Sequence, residues 1–120
     1  GELSRVLLVI KTLLSEKLAP GLQIFDEVDA GIGGAVAEIV GEKLREVSKI
    51  SQVVVVTHAP QIAALADTHF VISKATKKER TTTSVDKLSK DNRVEEIARM
   101  LAGKNVSDKF HESAKELLKQ

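Results

Sequence analysis

Four consecutive valines, Val53 to Val56, run without a polar interruption into Thr57, His58, Ala59 and Pro60. A β-branched run with no alternation predicts a strand covered on both faces, the setting of a parallel sheet. Parallel strands need crossovers, and the flanking sequence supplies them. Leu22 to Phe25 is a second short apolar run, closed by Asp26 and Glu27. Between the two runs, after the glycine-rich stretch Asp29 to Gly34, Val36, Ile39, Val40, Leu44 and Val47 recur at the three-and-four spacing of an amphipathic helix. Its polar face holds Glu42, Lys43, Arg45 and Glu46. Pro60 suits the first turn of a short helix carrying Ile62 and Leu65, and Phe70-Val71-Ile72 follows as a third strand. Strand, helix, strand, helix, strand implies right-handed crossovers and an α/β fold with a mostly parallel sheet flanked by helices.

The remaining segments attach to that frame. From Leu3 to Leu18 apolar residues are too dense for a solvent-facing stripe, so a largely buried helix is expected, ending at Pro20-Gly21. The basic run Lys74 to Arg80 and the β-prone Thr81 to Val85 predict a hairpin at the sheet margin. Asn92 and Glu95 have capping-box spacing for a helix through Val94, Ile97, Ala98 and Leu101 that Gly103 ends, and a last helix spans about Asp108 to Leu118. Without repeats or linkers, residues 1–120 read as one domain. A net charge of +1 offers no global basic field for nucleic acid, and the lack of Trp and Tyr removes stacking platforms for single strands. With no cysteine there is no thiolate metal site or disulfide framework, and no apolar run approaches the roughly 20 residues of a membrane span. A soluble, cytoplasmic protein without a membrane partner is expected. Gly1 stands where a reading frame begins with Met, so the chain is expected to start within a longer protein.

In open parallel sheets ligands sit beyond the carboxyl ends of the strands, where both Asp26-Glu27 and His58 fall. A strand-end Asp is a hard oxygen ligand suited to Mg²⁺, and strand alternation sends an adjacent Glu elsewhere, free to polarise a water. An acidic pair alone is more often the start of a solvated loop, and a strand-end histidine alone serves equally well as a helix cap. The combination is narrower: an apolar strand, Asp-Glu, a glycine-rich loop, then a second buried strand ending in His.

Leu22-Gln-Ile-Phe-Asp-Glu-Val-Asp-Ala-Gly resembles the Walker B motif of ABC-type ATPases, and Val56-Thr-His-Ala-Pro-Gln resembles their switch-histidine loop. Gly1-Glu2-Leu3-Ser4-Arg5 resembles the tail of the ABC signature loop. Val28-Asp29, where transporters commonly have Pro-Thr, places the resemblance on the SMC-like side, with bacterial DNA-repair members the nearest in pattern over essentially the whole chain; Arg93 to Leu101 is the other discriminating stretch. The resemblance implies the C-terminal half of an ABC-type P-loop NTPase head. It implies ATP and Mg²⁺ as cofactors, Asp26 at the metal, Glu27 as catalytic base, His58 sensing the γ-phosphate, and Gly1 with Glu2 contacting ATP in trans. The implied partners are the N-terminal half of the same head, a second head across the sandwiched ATP, and DNA in a bacterial nucleoid.

Two departures qualify the resemblance. The signature loop lacks its preceding Leu-Ser-Gly, and no G-x-x-x-x-G-K-[ST] phosphate loop occurs, so this chain is not expected to hydrolyse ATP alone. Gly33 also stands where many relatives carry an Asp after Walker B. His69 and His111 have no acidic or histidine partner at metal-ligand spacing and read as structural or exposed. Arg5 suits phosphate or a helix surface equally, and Lys74, Lys77, Lys78 and Arg80 suit a solvated hairpin tip better than DNA. The rival within the enzyme class is a transporter or chromosome-segregation ATPase. The rival outside it is a non-catalytic module that self-associates through its first helix and an open sheet edge.

Overall fold

The computed structural model describes residues 1–13 and 21–120. Its elements run α1 (Glu2–Leu13), β1 (Leu22–Asp26), α2 (Gly34–Ser48), β2 (Gln52–Val56), α3 (Pro60–Ala64), β3 (Phe70–Lys77), β4 (Arg80–Lys87), α4 (Lys90–Ala102) and α5 (Asp108–Leu118). β1 and β2 pair in parallel from Leu22↔Gln52 to Asp26↔Val56. One face of this pair, Phe25 with Val53 and Val55, packs on a core formed by Leu8 of α1, Val28, Ala37, Val40, Leu44 and Val47 of α2, and Ala59 and Ile62. Gly41 lets α2 and α3 meet: a Cβ there would lie 2.7 Å from Leu65 Cδ1 and 3.5 Å from Ile62 Cα. A second cluster joins Ala63 and Ala64 of α3 to Ile97 and Ala98 of α4 and Ala114 of α5.

Several expectations change. Among the described residues the parallel sheet is the β1–β2 pair alone; Phe70-Val71-Ile72 does not join it but forms the start of β3, which pairs antiparallel with β4 from Phe70↔Lys87 to Lys77↔Arg80. The predicted hairpin is therefore present but longer, closed by Lys78 and Glu79 at φ 44° and 66°, the positive pair that matches a two-residue turn to strand twist. Among the described residues the valine strand is covered on one face only. Val54 and Val56 are exposed beside Leu22 and Ile24 because α1, α2 and the following loop all pack on the opposite side. The first helix is likewise not largely buried: among its described side chains Leu8 is fully covered, while Leu3, Val6, Leu7, Val9, Ile10 and Leu13 are exposed. Its expected continuation through Leu14 and Leu18 to Pro20 lies outside the described residues.

Helix ends follow local chemistry. Pro60 occupies the first turn of α3 as the sequence predicts. The α4 cap, however, is Ser89 rather than Asn92: its Oγ accepts the Asn92 N–H at 3.2 Å, so the helix starts a turn earlier. Gly103, at φ 66°, ends α4 by donating its N–H to the Arg99 carbonyl. No helix among the described residues is long and apolar enough to cross a membrane.

Candidate functional site at the carboxyl end of the parallel pair

The register of β1 and β2 determines what meets at their carboxyl ends. Asp26 is the last residue of β1 and lies opposite Val56, the last of β2. The Glu27 N–H continues the ladder by donating to the Val56 carbonyl at 3.3 Å. Asp26 and Glu27, both exposed, thus reach the same end of the sheet as Thr57 and His58. Glu27 is past the strand and sits at φ 55°. Its direction is therefore set by a left-handed residue and not, as expected, by strand alternation.

That residue opens a turn in which the Ala30 N–H donates to the Glu27 carbonyl at 3.1 Å. The start of α1 holds the turn in place. Arg5 donates from one guanidinium nitrogen to the carbonyls of Val28 at 3.2 Å and Ala30 at 2.7 Å, and the Ser4 hydroxyl donates to the Asp26 carbonyl at 3.0 Å. Gly1 closes against the same turn: a Cβ there would lie 2.8 Å from the Ala30 Cβ and 3.3 Å from the Glu27 carbonyl. Arg5, which the sequence left between phosphate and helix surface, spends its polar contacts on the backbone that carries the acids. Glu2 is exposed beside it. Asp26, Glu27, His58, Gly1 and Glu2 are gathered around one turn although 57 positions separate the first from the last.

The residue that sequence reasoning missed is Asp29. It is buried, and its Oδ2 accepts from the His58 main-chain N–H at 3.0 Å and lies 2.8 Å from the His58 ring Nδ1. Asp29 and His58 are far apart in sequence, and only the parallel register brings them together, so spacing carried no hint of the pair. Gly31, at φ 70°, follows in the same loop, where a side chain would be strained.

Mg²⁺ bound with a nucleotide takes one or two protein carboxylates and completes its shell with phosphate oxygens and water. Two exposed strand-end carboxylates fit that donor set. Among the described residues no cluster of three or more His, Cys, Asp or Glu forms a self-sufficient metal cage. The other polar clusters lie elsewhere. His111 Nε2 meets Glu95 at 2.9 Å between α5 and α4. Arg93 donates to the carbonyls of Ala63, Ala64 and Ala66 at the end of α3. Burial, then the Arg93 guanidinium, push the nearby His69 imidazole below its ordinary 6.5. Lys74, Lys77, Lys78 and Arg80 are exposed along the hairpin.

No protein-family model matches the chain. Its sequence is 53% identical, over all 120 residues, to DNA repair protein RecN of Bacillus subtilis. It is 47% identical over 118 residues to RecN of Rickettsia felis and 47% identical over 119 residues to RecN of Treponema pallidum. These matches cover 98–100% of the chain but 21–22% of the relatives, so the chain spans about one fifth of their length. A solved structure described as "Structural biochemistry of ATP-driven dimerization and DNA stimulated activation of SMC ATPases" superposes with a TM-score of 0.61 at 24% identity. The superposition covers 88% of this chain and 63% of that one, which makes the fold like that of an SMC ATPase.

Proposed function

We propose that this chain, which matches the C-terminal part of DNA repair protein RecN from end to end, supplies half of the ATP-hydrolysing head of an SMC-like DNA repair protein. The observation that carries this reading is the register Asp26↔Val56, which sets an Asp-Glu pair and a histidine at one end of a parallel strand pair.

In the mechanism, Asp26 would hold Mg²⁺, which when bound would supply charge neutralisation for the phosphates. Glu27, turned out of the strand by its left-handed backbone, accepts a proton from the attacking water. Such general-base action is worth about 10²–10⁴-fold, the rest coming from positioning and charge neutralisation. His58 contacts the γ-phosphate. Gly1 and Glu2, at the start of α1, face the ATP of a second head, so that nucleotide binding closes a homodimer and hydrolysis reopens it during double-strand-break repair on DNA. Arg5 and Ser4 tie that helix start to the turn bearing Glu27, which supports one unit serving both nucleotides.

The phosphate loop belongs to the N-terminal half of the head, whose strands continue the β1–β2 sheet and whose flanking elements pack over Ile24, Val54 and Val56. The chain alone, lacking that loop's backbone donors and lysine, does not turn over ATP. Steady-state hydrolysis and Mg²⁺–ATP binding, measured for this chain and for the full-length protein, test the assignment. We expect both activities in the full-length protein and neither in the chain; turnover by the chain itself would show that its site is complete and overturn the reading.

A further inference from the structure

The side chain of His58 is 83% exposed, yet its ring is held; that of Asp29, which holds it, is 1% exposed. One oxygen, Asp29 Oδ2, meets both the main-chain N–H and the ring Nδ1 of the same histidine. Bonding a residue's backbone and side chain to one acceptor closes a small ring and removes the χ1 freedom that an exposed imidazole otherwise keeps. The arrangement carries a cost. Asp29 Oδ1 is buried with no hydrogen-bond partner among the described residues, and a buried carboxylate with unmet acceptor capacity is destabilising. A half-satisfied buried acid whose bonds go to the main chain and the ring of one exposed histidine marks a group whose benefit lies in that residue.

We infer that Asp29 is the positioning residue for His58, fixing its rotamer with Nδ1 turned to the carboxylate as a donor and so leaving Nε2 as the nitrogen presented to ligand. This inference rests on the reading of His58 as the γ-phosphate contact. A carboxylate oxygen only accepts, so Nδ1 is the donor in this contact. Asp29 itself touches neither nucleotide nor metal.

The test uses full-length protein carrying Asp29→Asn, His58→Ala or both, with initial rates over a range of ATP concentrations. Asp29→Asn should lower kcat about 10- to 100-fold, the size of effect that follows loss of the outer partner of a metal-bound histidine, with KM within about twofold. In the His58→Ala background the same change should alter kcat less than about twofold, because its target is gone. An equal loss in that background would mean that Asp29 acts on the fold and not through His58, overturning the inference. If His58→Ala impairs turnover while Asp29→Asn does not, the inference fails and the role of His58 stands. If His58→Ala turns over at the wild-type rate, that role itself fails. ¹⁵N-histidine NMR of the unsubstituted protein gives a readout that needs no Asp29 variant to fold: the His58 signal, identified by its loss in His58→Ala, should show Nδ1 protonated, and an unprotonated Nδ1 would refute the inference.

Discussion

Glu27 owes its direction to a backbone angle. At φ 55° a non-glycine residue is held against its own preference, at a cost of order 1–3 kcal/mol. The holding contacts are the Val56 carbonyl on one side and the Arg5-braced turn on the other. Replacing Arg5 with Ala should loosen the turn, leaving the carbonyls of Val28 and Ala30 without that donor, and lower turnover in the full-length protein more than it lowers the melting temperature. An unchanged kcat would separate the brace from the chemistry. Asp26 and Glu27 were legible in the sequence because strand, acids and glycine-rich loop are contiguous. Asp29 was visible as a letter in a motif but not as a partner of His58, since pairing 29 positions apart depends on the strand register. Arg5 stayed undecided for the same reason: its acceptors are backbone carbonyls, which no side-chain pattern announces.

The elements repeat that division. Period and punctuation located α2, α3, α4, α5 and the hairpin, but the α4 start moved to Ser89 because a serine Oγ reached the Asn92 N–H, outcompeting the Asn92–Glu95 box. Ser89→Ala should therefore cost about 1 kcal/mol in a chemical-denaturation midpoint, while Asn92→Ala costs less. Gly41 is a packing glycine: Gly41→Leu sets a side chain into Leu65 and the α3 backbone, and overpacking of that kind costs about 1–3 kcal/mol, read as a lowered melting temperature. The α4–α5 contact is pH-sensitive. The hydrogen bond to Glu95, then that to the Ser107 carbonyl, raise the His111 imidazole above its ordinary 6.5, so its contribution is complete below that pH and is lost as pH rises through the raised value. His69, pushed down chiefly by burial, works oppositely: its contribution is lost as pH falls below 6.5. Thermal melts between pH 6 and 8, roughly the span in which an imidazole titrates, should show the stability difference between the protein and His111→Gln shrinking as pH rises. A difference constant with pH would contradict this.

At the scale of the whole molecule, the parallel pair is open on the face that the unbroken valine run says is covered. Together with the exposed apolar residues of α1, it presents a surface that water does not favour. The sequence implied the covering, and the described residues do not supply it. If the proposed N-terminal half covers this face, the same substitution acts with opposite sign in two settings: Val54→Asp should improve the solubility of this chain alone but destabilise the full-length protein. Equal effects in both would mean that the face is free. The central claim, that these strand ends form a phosphoryl-transfer site, is tested most directly by Glu27→Gln in the full-length protein, with ATP binding and steady-state hydrolysis measured side by side. The account predicts binding retained and hydrolysis reduced about 10²–10⁴-fold; hydrolysis at the wild-type rate would contradict it.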